Sequence, residues 1–116
     1  MSVEANKAIM RRLFEEGFNQ GNLAVVDELF DTQFVDHSTP EQPIGRGGVK
    51  DYIAQVHADL PDIHVIIDDL IAEEDKVVVR TTWQGAHQGR VSTSTMIQIF
   101  RIHNGKILEE WNEGHH

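Results

Sequence analysis

The sequence predicts an α+β domain, with three N-terminal helices packed on a strongly curved antiparallel sheet. Three observations lead there. Up to Pro61, apolar residues recur at helical spacing. Beyond Pro61 the period becomes that of strands, rich in β-branched side chains. Asn104-Gly105 then separates two apolar runs and signals a tight hairpin, because both residues tolerate positive φ. Helices followed by a meander place the helices on one face of the sheet.

The first helix carries Ala5, Ile9, Leu13, Phe14 and Phe18 on one face, with Lys7, Arg11, Arg12, Glu15 and Glu16 filling the rest. Gly17, Asn19, Gly21 and Asn22 mark its exit. Asn22 caps a short second helix through Leu23, Val26, Leu29 and Phe30. A loop with Pro40, Pro43, Gly45, Gly47 and Gly48 follows. The third helix carries Val49, Tyr52, Ile53, Val56 and Leu60, and Pro61 stops it. Strands are expected from Ile63 to Ala72, Val77 to Gln84, Val91 to Ile102 and Ile107 to Trp111, with a turn at Glu73-Glu74-Asp75. In the third of these, Thr93, Thr95, Ile97 and Ile99 alternate with Ser94, Met96, Gln98 and Phe100. A sheet curled around its helices closes at one end and leaves a cone-shaped cavity at the other.

A chain of 116 residues is expected to form one domain, spanning 1–113, with 114–116 as a tail. His115 and His116 read as part of that tail or as a tag remnant, and stand outside any metal argument. A net charge of −9 argues against nucleic acid or an anionic membrane as partner, since both require a basic face. The absence of cysteine removes disulfides, thiolate nucleophiles and sulfur-ligated metals. The first residues lack the apolar core of a signal peptide, and cytoplasmic residence is the expectation. Histidines and acids occur without a close ligand spacing, and the glycines before the third helix lack the Lys-Ser/Thr of a phosphate loop. Neither metal nor cofactor is therefore expected.

Six segments, in order, resemble the SnoaL-like polyketide cyclases of the nuclear transport factor 2-like superfold. They are Phe18-Asn19-Gln20-Gly21-Asn22, Phe34-Val35-Asp36-His37, Leu60-Pro61-Asp62, Asp75 to Arg80, Gly85 to Gly89, and Phe100 to Trp111. The resemblance implies a cone-shaped fold and cofactor-free acid–base chemistry: intramolecular aldol closure of a carbonyl compound in an apolar pocket. It also implies association of two copies through the sheet, and the strands from Val77 to Gln84 and Val91 to Ile102 carry apolar residues on both parities. Two positions depart from the family. Its acid–base Asp falls on Gln98, which cannot exchange a proton, and the His of its Glu-His-Trp is Glu110. The segment from Gly89 to Thr95 is also shorter than in the family.

The candidates to supply the chemistry are His37, His87, Gln98 and Glu110. His37 either looks into the cavity or is a loop histidine bonded to backbone. His87 shares parity with Trp83 and Thr81, and either lines the same wall or ends in solvent. Glu110 in an apolar site would have a raised pKa and work as a base; on an edge it would be solvated. Gln98 is expected to face inward with Met96 and Phe100. Phe14, Phe18, Tyr52, Trp83, Met96 and Phe100, with Trp111, are expected as core and cavity lining around a small hydrophobic ligand. Asp36 and Asp62 read as loop braces, His57 and His64 as solvent-facing, and Arg80 as paired with Asp68, Asp69 or Glu109. The rival readings are a binding module without turnover, and an epoxide hydrolase or ketosteroid isomerase on the same superfold.

Overall fold

In a computed structural model that describes residues 2–114, three helical segments pack against one five-stranded sheet. The reading of His115 and His116 falls outside the described residues. Helix α1 (Val3–Arg12) starts at Ser2, whose hydroxyl accepts from the Ala5 amide at 2.9 Å. It continues through Gly17 as a wider π-helical segment, Leu13–Asn19, which buries Leu13, Phe14, Gly17 and Phe18. The helix therefore does not exit at Gly17. A Cβ there would sit 3.4 Å from Val25, so glycine allows the close approach of α2 (Ala24–Leu29).

The sheet order is β1-β5-β4-β3-β2. Strands β2 (His64–Glu73), β3 (Lys76–His87), β4 (Arg90–His103) and β5 (Lys106–Gly114) form the expected antiparallel meander. Strand β1 (Phe30–Asp36) is the addition: it runs parallel to β5 at the sheet edge, where the sequence reading had a helix end and a loop. Its Phe30 and Phe34 are fully buried and pack edge to face at 4.8 Å. The strand went unread because its polar Asp31, Thr32 and Gln33 interrupt period-two alternation, and its register shifts between Phe30 and Val35.

Two hairpins turn through paired positive-φ residues, Asn104-Gly105 as expected and Gln88-Gly89 in addition. Asn19 ties the first helix to the sheet, donating to the Val65 carbonyl and accepting its amide. Helix α3 (Gly47–Asp59) ends before Pro61. Arg80 pairs with Asp69 at 2.6 Å on the outer face, and Asp62 braces the Ala86 amide. His57 does not simply face solvent: its Nε2 meets the Phe18 carbonyl at 2.5 Å. No helix among the described residues is long and apolar enough to cross a membrane.

Candidate functional site

Strand alternation puts Val77, Val79, Thr81 and Trp83 of β3 and Met96, Gln98 and Phe100 of β4 on the face toward the helices. Between this face and the helices lies a cavity of about 280 Å³. Leu13 and Phe18 line it from the first helix, Val49 and Tyr52 from α3, Phe30 and Phe34 from β1, and Met96 and Phe100 from β4. Its polar wall is Asp36, Gln98, Glu110 and Asn112, with Thr39 and Gln42 from the loop.

A bulge aims Glu110. Ile107 is fully buried opposite Ile102, so strict alternation would send Glu110 outward. The register shifts between Arg101 and Ile102, leaving Leu108 as the extra residue. Glu109 then lies opposite Arg101, and Glu110 opposite Phe100 and Asp36. The carboxyl Oε2 of Glu110 accepts from Gln98 Nε2 at 2.8 Å and from Asn112 Nδ2 at 3.0 Å, and among the described residues no donor reaches Oε1. Burial, and then the charge of Asp36, push this carboxyl up from its ordinary 4.5 to about 7; the two amide bonds pull the other way.

Gln98, 7% exposed, thus faces the cavity beside Glu110. His37 does not join them. With Phe34 and Asp36 directed at the cavity, alternation sends His37 to the opposite side of β1. There it stacks on Trp111 at 4.9 Å, and its Nε2 meets Glu109 at 2.9 Å; its amide donates to the Glu110 carbonyl. Trp111 is therefore an outer-face residue and not cavity lining. His87 keeps its parity, but β3 carries it past the cavity to the hairpin end, where it is exposed and its Nδ1 meets the Asp59 carbonyl.

Phe18, Tyr52, Met96 and Phe100 line the cavity as expected. Phe14 does not. It is fully buried against Phe18 and Trp83. Trp83 lines a neighbouring groove of about 500 Å³ with Val56, Leu60, Ile63 and residues 92–95, and Tyr52 borders both spaces. The Tyr52 side chain lies beside Phe18; the residue is 45% exposed, but desolvation of its inner part, followed by the charges of Glu110 and Asp36, raises its pKa and keeps the hydroxyl protonated. Asp36 braces its loop through Ser38 and Thr39, as read, and also lines the cavity. Asn112 was missed, although it lies two residues beyond Glu110 on one strand and so shares its parity. Among the described residues no group of three or more His, Asp or Glu is placed to hold a metal ion.

The fold is shared widely. TsrD from Streptomyces laurentii superposes with a TM-score of 0.91 at 23% identity, covering 98% of this chain and 90% of that one. A candidate polyketide cyclase from Bacillus cereus gives 0.84 at 27% identity, covering 91% and 71%. IdmH, a candidate polyketide cyclase from Streptomyces antibioticus, gives 0.82 at 25% identity, covering 94% and 91%. No curated protein sequence matches the chain. The family model of the SnoaL-like polyketide cyclases matches residues 8–114, and the chain belongs to that family.

Proposed function

We propose that the protein performs acid–base chemistry, of the aldol or isomerisation type, on a small, mostly apolar carbonyl compound held in the 280 Å³ cavity. The observation that carries this reading is the Glu110 carboxyl, buried on the polar wall of the cavity and bound through one oxygen only, by two neutral amides; burial and the charge of Asp36 raise its pKa to about 7. The carboxylate takes a proton from a carbon flanked by carbonyls, and the electron pair left behind forms an enolate. In the cyclising case the enolate carbon bonds to a second carbonyl carbon, and that oxygen takes the proton back from Glu110. The proton count closes on one residue. Tyr52 lines the cavity with its phenol kept protonated, and we assign it as the donor to the developing oxyanion. The candidate polyketide cyclases at 25% and 27% identity support the same class.

Exchange of the acidic C–H of an α-methylated acetoacetate ester in heavy water, followed by NMR, tests it. Catalysed exchange should rise with pH through a midpoint near 7, as the base form of Glu110 appears. Glu110→Gln should lower it on the order of 10²–10⁴-fold. Full activity in that variant sinks the proposal. The second reading, ligand binding without turnover, is favoured by one observation: an amide stands at position 98, where the family carries its acid–base Asp. Saturable binding without catalysed exchange would select it.

The outer face of the sheet supports a homodimer. Ile71, Val78, Ile99 and Trp111 lie in register across four strands, and Ile71 and Ile97 are 62% and 49% exposed. Sedimentation should show a dimer at micromolar concentration and a monomer for Ile99→Lys. A native chain that is only monomeric at that concentration counts against it.

A further inference from the structure

The groove beside the cavity, about 500 Å³ in volume, has no part in the chemistry above. Two elements run from one space to the other on unbroken rows of side chains. On α3, Val49 and Tyr52 line the cavity, and Tyr52, Val56 and Leu60, spaced four apart on one face, line the groove. On β4, Phe100, Gln98 and Met96 line the cavity, and Ser94 and Ser92, of the same parity, line the groove. The two spaces are therefore successive parts of one trough between α3 and β4. Tyr52 stands where they join, bordering both.

The two parts differ in chemistry. The cavity has the Asp36 and Glu110 carboxyls on its wall, whereas none of the residues lining the groove is charged. Val56 and Leu60 pack on the core there but stay only partly covered. The indole N–H of Trp83 is given to the Thr81 hydroxyl at 2.8 Å, so the ring offers the groove apolar surface only. Leu60 lies over Gly85, where a Cβ would come 3.1 Å from the Leu60 Cβ, and this contact ends both rows. Ile97 and Ile99 of β4 point to the opposite side of the sheet, so a copy docked on that outer face leaves the groove uncovered.

We propose that the groove is a second subsite, which holds the apolar tail of the ligand whose carbonyl end sits in the cavity. The ligand is then elongated, with its head at Glu110 and an alkyl or aryl tail that passes Tyr52 and lies along Trp83. The nature of the head rests on the proposed function above; the tail rests on the groove. Ser94 lies four residues of strand from Gln98, about 13 Å away, so a compound that only fills the cavity does not reach it.

Calorimetric titration with ethyl, butyl, hexyl and octyl acetoacetate tests the tail. From butyl to octyl, binding by the native protein should tighten about five-fold for each two carbons added, allowing for a groove open on one side. Ser94→Phe places a ring opposite Trp83 and fills the groove. It should bind the ethyl ester within two-fold of native, and the octyl ester no more than two-fold more tightly than the butyl. Trp111→Phe leaves Trp83 as the one tryptophan. In that background 7,8-dibromooctyl acetoacetate should quench the indole emission saturably, and the intact octyl ester should not. Native affinity that is flat along the series overturns the inference, as does a gain that survives in Ser94→Phe or a dibromide that binds without quenching. The native series and the quenching decide the matter even if Ser94→Phe does not fold. Catalysed exchange with no gain along the series removes the tail and keeps the proposed chemistry; the gain without exchange does the reverse.

Discussion

Glu109 and Glu110 are chain neighbours on β5, with the same side chain and opposite circumstances. Glu109 faces outward and is gripped by Arg101 and by His37, bonds that hold its carboxyl below the ordinary range. Glu110 faces inward, touches only neutral amides, and has Asp36 as its nearest charge, which with burial lifts it to about 7. One is fixed as an anion and spends its charge on structure. The other is poised to gain and lose a proton. Alternation puts them on opposite faces, and a single extra residue, Leu108, decides which one faces in, because its bulge lets Ile107 and Glu110 both face the helices. Proton affinity here is set by which side of the sheet a carboxyl faces, and that by backbone register.

The largest effect expected from breaking this contrast comes from Glu110→Gln. A carboxyl raised on folding holds its proton more tightly in the folded chain than in the unfolded one. Its stabilising share is complete below the ordinary 4.5 and is lost as pH rises through about 7. A shift of that size corresponds to at most about 3 kcal/mol. Urea unfolding should therefore show native stability falling between about pH 5 and pH 8, and Glu110→Gln flat over that window and more stable than native at its upper end. A flat native curve would mean that Glu110 is solvated after all.

A smaller effect is expected from Gln98→Asp, which replaces one of the neutral amides by a charge. Two carboxyls then share the cavity wall, with Asp36 as a third nearby, and ionising the second costs more than the first. The exchange midpoint should move to the alkaline side of about 7, by about one unit. An unmoved midpoint would show that position 98 does not touch Glu110 in solution.

Gln98 was legible in the sequence because β4 runs without interruption from Val91 to Phe100, so parity with Met96 and Phe100 decided its direction. The Asn104-Gly105 hairpin was legible for a local reason, since its chemistry sits in two adjacent residues. His37 was not. Its outward direction depends on Phe30–Asp36 being a strand, and β1 is held by pairing with β5, more than seventy residues later in the chain. The Glu110 partners were hidden for a similar reason. Nothing in Glu109-Glu110-Trp111-Asn112 announces a bulge, which appears only when Ile102 and Ile107 pair. Local periodicity carries direction along one strand; contacts between strands far apart in sequence carry the rest.

The smallest effect is expected from Glu109→Gln, which tests whether the two faces act independently. A carboxyl held low on folding contributes stability above the ordinary carboxylate range and loses it as pH falls through its folded value. The variant should thus be less stable than native at neutral pH by about 1 kcal/mol, because the lost bonds are partly solvated, and equal to native near pH 3. Arg101 retains Asp75 at 3.7 Å, so its charge is not stranded. The exchange midpoint set by Glu110 should stay where it is. Arg101 keeps Asp75 against it, and solvent on the outer face screens the change of charge from Glu110. If Glu109→Gln shifts that midpoint as far as Gln98→Asp does, the sheet does not insulate the two glutamates, and the outer network must be counted as part of the site.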